Sequence, residues 1–132
     1  LMAWIDVAAA IAASRHARAV CVTASIDALH FVAPIRLGEH VTLRASVNFV
    51  GRTSMEVGVR LDSEDPFTGQ HTHVATSYLT FVAIDEQGQP KAVPPLLLET
   101  DTDKRRAREA ELRRAARLAL KHSLTTAQAK ST

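Results

Sequence analysis

Residues 1–16 predict a helix that is apolar in almost every direction around its axis. The stretch LMAWIDVAAAIAA is rich in alanine and lacks glycine and proline, which favours a helix. A helix with no polar side is normally buried within a fold and does not lie on its surface. We therefore expect the rest of the chain to wrap around this helix.

The residues that follow, up to about position 97, show the patterns of β-strands. Apolar and polar side chains alternate along 41–49 and 55–62, and the short connection between them predicts a hairpin. The residues of the first stretch that we expect on one side of the sheet are Val41, Leu43, Ala45, Val47 and Phe49. Further strands are predicted at 19–26 and 71–84 and a short one at 91–93, with turn regions at 27–38, 65–69 and 85–88. One apolar helix against one antiparallel sheet is an α+β fold.

The C-terminal part, residues 98–132, differs from the preceding residues in its charge. Positions 101–121 hold eight Lys or Arg and four Asp or Glu, and the pattern predicts a basic helix over 101–122 followed by a disordered tail. The interspersed acidic residues favour a solvated or partner-packed helix, so we expect no nucleic-acid binding. No apolar run approaches the ~18–20 residues of a membrane-spanning helix, so we expect no membrane insertion.

Several kinds of site are disfavoured by motifs that the sequence lacks. It has no GxSxG, GxGxxG, Walker or CxxC motif, which argues against a serine nucleophile, dinucleotide binding and structural zinc. The single cysteine, Cys21, lies in an apolar strand and cannot form an internal disulfide, which fits a reducing cytoplasm. His71 and His73 share one strand face, but two ligands are too few to predict a metal site.

Asp6 is the first candidate for chemistry, because it is the one charged residue in the apolar part of the predicted helix. Burying a lone carboxylate is unfavourable unless the group is paired or protonated. Two interpretations follow. The residue is either a general base or nucleophile, or an exposed carboxylate that the helix dipole favours near the N-terminus.

A second candidate lies in the connection between the two hairpin strands. Gly51, Arg52, Thr53 and Ser54 combine backbone freedom, a guanidinium and two hydroxyl groups in four consecutive residues. Such a set suits a phosphate or pyrophosphate. Taken alone, these residues favour an ordinary hairpin turn with a surface arginine.

Four segments of the chain resemble the acyl-CoA thioesterases of the hotdog fold, above all the bacterial YciA-like enzymes and the cytosolic brain-type acyl-CoA hydrolases. They are MAWIDVAAAIAA, VTASIDALHFVAPIRLGE, VGRTSMEVGV and YLTFVAIDEQGQP, and they extend over residues 1 to about 95. The resemblance implies a hotdog thioesterase domain over residues 1–97, with an antiparallel sheet around a central helix. It also leads us to expect that the family's N-terminal strand, and an asparagine and Gly-Gly turn before the helix, are missing here.

The same resemblance implies roles for the candidate residues. Asp6 matches the family's catalytic carboxylate, and residues 51–54 match the turn that contacts the phosphates of coenzyme A. Trp4 is expected to lie beside the acyl chain. In this family two subunits pair with their sheets edge to edge, active sites lie at that interface, and dimers can assemble further into trimers of dimers.

The expected protein is thus a cytoplasmic homo-oligomer that hydrolyses fatty acyl-CoA to free fatty acid and coenzyme A, without a metal or bound cofactor. Two alternatives stay open. One is a non-catalytic acyl-CoA-binding or regulatory hotdog domain. The other is a hotdog dehydratase, which is disfavoured because that class usually relies on a histidine near the helix and residues 1–15 contain none.

Overall fold

The computed structural model describes residues 1–27 and 29–131, with side chains described up to residue 125. In this part of the chain, helix α1 (Met2–Ala17) is followed by five strands and by helix α2 (Asp101–Ser131). The strands are β1 (Val20–Ile26), β2 (His30–Phe31), β3 (His40–Val50), β4 (Ser54–Glu64) and β5 (His71–Ile84). The predicted α+β class is confirmed. The chain divides into two units, Leu1–Leu96 and Leu97–Thr132.

The strands of the first unit form one antiparallel sheet in the order β1–β5–β4–β3, and β2 also pairs with β5. Strands β3 and β4 pair from His40 and Glu64 at one end to Val50 and Met55 at the other, so the predicted hairpin is confirmed. Strand β1 bonds to β5 along one side only, and no described strand covers its other edge.

Helix α1 packs on the sheet through a row of small side chains. Ile5, Ala9 and Ala13 are fully buried, and their spacing of four residues places them on one face of the helix. Alanine side chains allow the helix to approach the strands closely. The fully or almost fully buried apolar residues on the sheet side of this core include Met55, Val57, Val59, Leu61, Leu79, Phe81 and Ala83.

The expectation that α1 is buried on every side is wrong for the single chain. Trp4, Val7 and Ile11 expose 66%, 57% and 53% of their surface. They lie on the face opposite Ile5 and Ala9, and a single sheet covers only one side of a helix. The first unit therefore carries an uncovered apolar helix face.

A β-bulge corrects the prediction for Phe49. The register of β3 shifts between Val47 and Phe49, and Phe49 pairs with Glu56. Because a shift of one residue exchanges the two faces of a strand, Phe49 lies on the side opposite the other apolar residues of β3. Gly58 leaves the room for this bulge, since a Cβ there would lie 2.6 Å from Nδ2 of the buried Asn48.

Two connections also differ from expectation. The predicted turn region 27–38 contains the short strand β2. Residues 91–93 form no strand, although an isolated bridge joins Ile84 to Pro90 and the segment bonds to the sheet through single amides. Prolines at 90, 94 and 95 remove the amide donors that a regular ladder would need.

Helix α2 forms the second unit and begins at a capping box. The Thr100 amide donates to Oδ2 of Asp103 (3.2 Å), and the Asp103 amide donates to Oγ1 of Thr100 (3.0 Å). The backbone hydrogen bond from Thr100 lowers the pKa of the Asp103 carboxyl. The helix continues to Ser131, so the predicted end at 122 and the disordered tail are wrong. Among the described residues, no helix is both long and apolar enough to cross a membrane.

Candidate active site

Asp6 lies on α1, one residue beyond the buried Ile5, and reaches strand β1. Its Oδ1 accepts a hydrogen bond of 2.9 Å from the hydroxyl group of Thr23. The carboxylate is half-buried in the single chain, less deeply than its apolar neighbours suggested. The bond from Thr23 holds one carboxylate oxygen in a fixed direction, and no other described group bonds to the second oxygen, Oδ2. This geometry leaves Oδ2 available to a water molecule or an electrophilic carbon.

Thr23 is the residue of this site that the sequence analysis missed. Threonine is an ordinary strand residue, and nothing in the stretch VCVTASI singles it out. The available signal was its position, two residues after Cys21 and therefore on the same face of β1. The Thr23 hydroxyl group points toward α1 and donates its hydrogen bond to Asp6 there.

Cys21 does not compete with Asp6 as a nucleophile. Burial raises the pKa of its thiol, while a side-chain hydrogen bond with Ser14 acts in the opposite direction. The net effect favours the protonated thiol at neutral pH, and the thiolate is the reactive form. Cys21 packs against the core like a small apolar residue.

The strand register connects Thr23 to the second candidate region. Thr23 pairs with Phe81, and Phe81 pairs with Met55, which directly follows the 51–54 turn. Neighbouring strands are about 4.8 Å apart, so Thr23 lies roughly 10 Å from Met55. The fold thus places the carboxylate of Asp6 and the 51–54 turn within one extended ligand's length of each other.

The 51–54 turn, between β3 and β4, has a tightly held backbone. The Gly51 amide donates to the carbonyl oxygen of Ser54 (2.8 Å). The Ala83 amide donates to the Thr53 carbonyl (3.0 Å), and the Val93 amide donates to the Arg52 carbonyl (2.9 Å). The Arg52 side chain is exposed. A fixed backbone with a solvent-facing guanidinium and two nearby hydroxyl groups can bind a phosphate.

The surroundings of Asp6 are apolar and open. Trp4 is exposed on α1, so the single chain does not enclose it in a pocket. The other exposed large apolar side chains on this side are Leu1, Met2, Val7 and Ile11, at or just before α1, and Ile26 on β1. An apolar surface next to a half-buried carboxylate suits a ligand with a hydrocarbon portion, or a second protein chain.

The two histidines that share a strand face have protein partners. Nε2 of His71 lies 3.5 Å from Oε1 of Glu64. Nε2 of His73 lies 2.9 Å from Oγ1 of Thr76. Within the described part of the chain, no group of three His, Cys, Asp or Glu residues could hold a metal ion.

Comparison with known proteins identifies the family. Residues 1–69 match the Thioesterase superfamily. The uncharacterized acyl-CoA thioester hydrolase YkhA of Bacillus subtilis is 41% identical over 96% of this chain and 77% of its own length. The acetyl-coenzyme A thioesterase of Rattus norvegicus is 38% identical over 89% of this chain, which spans 21% of that longer protein.

Solved structures agree with these relatives. The acyl-CoA hydrolase from Bacillus cereus has a TM-score of 0.85 at 39% identity and is matched over 95% of this chain and 78% of its own. An apo-hexameric acyl-CoA thioesterase has a TM-score of 0.85 at 42% identity, over 89% and 76% of the two chains. The acyl-CoA hydrolase from Staphylococcus aureus, in complex with butyryl coenzyme A, coenzyme A and coenzyme A disulfide, has a TM-score of 0.81 at 41% identity, over 95% and 79%. The predicted hotdog fold is confirmed, and the chain belongs to the thioesterase superfamily.

Proposed function

We propose that this protein is an acyl-CoA thioester hydrolase that converts fatty acyl-CoA and water to a free fatty acid and coenzyme A. Its relatives named acyl-CoA thioester hydrolase and acetyl-coenzyme A thioesterase support the reaction class. The observation that carries the proposal for the site is the half-buried Asp6 carboxylate, held by Thr23 and bordered by apolar surface.

The chemistry needs a group that takes a proton from water. In the proposed reaction, the Asp6 carboxylate accepts that proton through Oδ2 while the water oxygen bonds to the thioester carbonyl carbon. The tetrahedral intermediate then collapses, the carbon–sulfur bond breaks, and the proton passes from Asp6 to the departing sulfur. In a direct attack, Oδ2 would bond to the carbonyl carbon, the carbon–sulfur bond would break, and coenzyme A would leave as the thiolate. Water would then hydrolyse the anhydride to the fatty acid and the free Asp6 carboxylate, and the proton released would neutralise the thiolate. Neither route requires a metal or a bound cofactor.

The 51–54 turn is proposed to hold the phosphates of coenzyme A. Arg52 supplies the positive charge, and the hydroxyl groups of Thr53 and Ser54 supply further donors. The pantetheine arm would then span the roughly 10 Å between the turn and the strand position of Thr23. The S. aureus hydrolase, in complex with coenzyme A, supports this class of ligand.

Replacing Arg52 by alanine is expected to raise KM for acyl-CoA about tenfold and to change kcat less than twofold. The reason is that Arg52 would bind the nucleotide end equally in the ground state and the transition state, and a charge-assisted contact contributes about 1.5–3 kcal/mol. Steady-state thiol release measures both constants. The control is Arg36→Ala. This exposed arginine lies before the start of β3, whereas the 51–54 turn follows its end. A fall in kcat without a rise in KM would place Arg52 away from the coenzyme.

We also propose that two chains pair through their β1 edges and that dimers assemble further. An uncovered edge strand offers unpaired amide and carbonyl groups, and the exposed Val7 and Ile11 of α1 add apolar area beside it. The hexameric thioesterase neighbour supports self-association. In this arrangement the second chain would cover the apolar face of α1 and close the site around Asp6.

Placing a lysine at Val22, in the middle of β1, is expected to shift the protein to monomers at micromolar concentration and to lower kcat/KM at least about tenfold. A charge on an edge strand opposes pairing with a second strand. Sedimentation velocity measures the assembly state, and Leu37→Lys, at a fully exposed loop residue, is the matched control. Unchanged sedimentation of the Val22→Lys variant would contradict pairing through β1.

The proposed location is the cytoplasm. The chain has one cysteine and so cannot form an internal disulfide, as is usual for proteins of reducing compartments.

A further inference from the structure

We propose that His16 is a positioning residue that sets the affinity for the coenzyme A moiety by fixing the 51–54 turn. This inference rests on the proposed function of that turn. His16 lies near the C-terminal end of α1, and its Nε2 lies 2.8 Å from the carbonyl oxygen of Pro94. The helix that carries Asp6 is thereby tied to the segment that supports the turn.

The 91–94 segment connects His16 to the turn. The Lys91 amide donates to the Ala83 carbonyl (2.8 Å), which attaches the segment to the end of β5. Two residues later, the Val93 amide donates to the Arg52 carbonyl (2.9 Å), and the Val93 side chain is buried in the core. Pro94 follows immediately. A displacement of Pro94 is therefore transmitted through one peptide unit to the hydrogen bond that holds Arg52.

The sequence of this segment explains why a side chain has to supply the last contact. Pro94 and Pro95 have no amide hydrogen, so neither residue can donate to the sheet after Val93. At this point the backbone offers only a carbonyl oxygen, and His16 provides the donor that it accepts. Without His16, the hydrogen bond of the Val93 amide would be the last one that holds the 91–94 segment.

The His16 contact affects the turn and not the carboxylate. A carbonyl oxygen only accepts hydrogen bonds, so Nε2 must carry the proton, as it does in one neutral tautomer and in the imidazolium ion. Asp6 lies about ten residues away along α1, roughly 15 Å, and has its own partner in Thr23. Loss of the His16 bond should loosen the coenzyme end of the site and leave the reacting end in place.

Two thioesters with the same acyl chain distinguish an effect at the coenzyme end of the site from an effect at the reacting end. One is the acyl-CoA, and the other is the acyl-N-acetylcysteamine thioester, which has no phosphate. His16→Ala is expected to raise KM for acyl-CoA about threefold to tenfold with kcat nearly unchanged, as expected for loss of one hydrogen bond. The kcat/KM for the truncated thioester should equal that of wild type.

Further variants test whether the hydrogen bond itself is responsible. His16→Gln retains a donor and should restore most of the affinity, whereas His16→Phe retains a ring without a donor and should not. Arg15→Ala, at an exposed neighbour in the same helical turn, is the control. In the double variant with Arg52→Ala, the effect of His16→Ala should largely disappear, because both act through the same turn.

Two results would overturn the proposal. Equal losses of kcat/KM for both thioesters would show a general structural role, and full additivity with Arg52→Ala would show that His16 does not act through the turn. If wild type released no thiol from either substrate, the proposed function would fail separately. Calorimetric binding of coenzyme A would then decide the inference. Weaker binding by His16→Ala would support it, and equal binding, or no binding by wild type, would refute it.

Discussion

Asp6→Asn is expected to lower kcat for acyl-CoA hydrolysis by about a thousandfold, within the range that a positioned general base contributes. Asparagine has nearly the same size, and its carbonyl oxygen can still accept the hydrogen bond from Thr23. It cannot take a proton from water or act as a carboxylate nucleophile. The free energy of unfolding should therefore stay within about 1 kcal/mol of wild type, as is common for substitutions outside a packed core. Thiol release and urea unfolding measure the two quantities.

Thr23 variants test how the carboxylate is held. Thr23→Val removes the hydroxyl donor at similar volume. We expect kcat to fall about tenfold, because a carboxylate that is no longer held in position accepts the proton from water less efficiently. Thr23→Ser keeps the donor and should recover most of the rate. A wild-type rate in Asp6→Asn would show that Asp6 takes no part in the reaction. Equal rates in Thr23→Val and Thr23→Ser would show that the hydrogen bond from Thr23 does not contribute to it.

Phe81→Ala is expected to lower the free energy of unfolding by about 3–5 kcal/mol, the usual range for deleting a buried aromatic ring. Phe81 is fully buried on β5, between Thr23 of β1 and Met55 of β4 in the register of the sheet. The ring belongs to the core cluster that includes the buried alanines of α1, and these small side chains cannot fill the cavity that it would leave. The free energy of unfolding of a typical domain is about 5–15 kcal/mol, so this loss would be a large part of it.

The chain contains a matched control for this substitution. Phe67 lies in the turn between β4 and β5 and is 96% exposed. Phe67→Ala should change the stability by less than about 0.5 kcal/mol. Urea unfolding compares the two variants directly when the free energy of unfolding depends equally steeply on urea concentration in both. A loss below about 1 kcal/mol for Phe81→Ala would contradict the position of this ring in the core.

The sheet could be predicted from the sequence because alternation of apolar and polar residues has a period that only a strand produces. The predicted strand at 71–84 has the observed bounds of β5, and the apolar members of β4 are all buried. Phe49 was misplaced because a bulge changes the face of a residue without changing the alternation on either side of it. The room for that bulge comes from Gly58, on another strand.

Helix α1 shows a different limit. Its composition predicts burial, but the composition of one chain does not show how many surfaces cover a helix. The sheet covers Ile5, Ala9 and Ala13, and Trp4 and Val7 remain exposed. The apolar character of the exposed side is the physical basis for the proposed pairing of two chains.

Only some residues of the proposed site could be singled out from the sequence. Asp6 could be singled out because a carboxylate in an apolar helix breaks the local pattern, and residues 51–54 because four polar or flexible residues interrupt a hairpin. Thr23 and His16 could not, since their partners depend on which strand and which segment lie beside α1. His16 and Pro94 are 78 positions apart in the sequence.

The most direct test of the central claim is thiol release by the full natural chain from acyl-CoA thioesters of increasing acyl length, with wild type and Asp6→Asn compared under identical conditions. We expect wild type to release free coenzyme A from fatty acyl-CoA with a preference for certain chain lengths, and the variant to bind the same substrates and turn them over about a thousandfold more slowly. Binding of acyl-CoA by wild type without any thiol release would contradict the account and identify a non-catalytic acyl-CoA-binding domain instead.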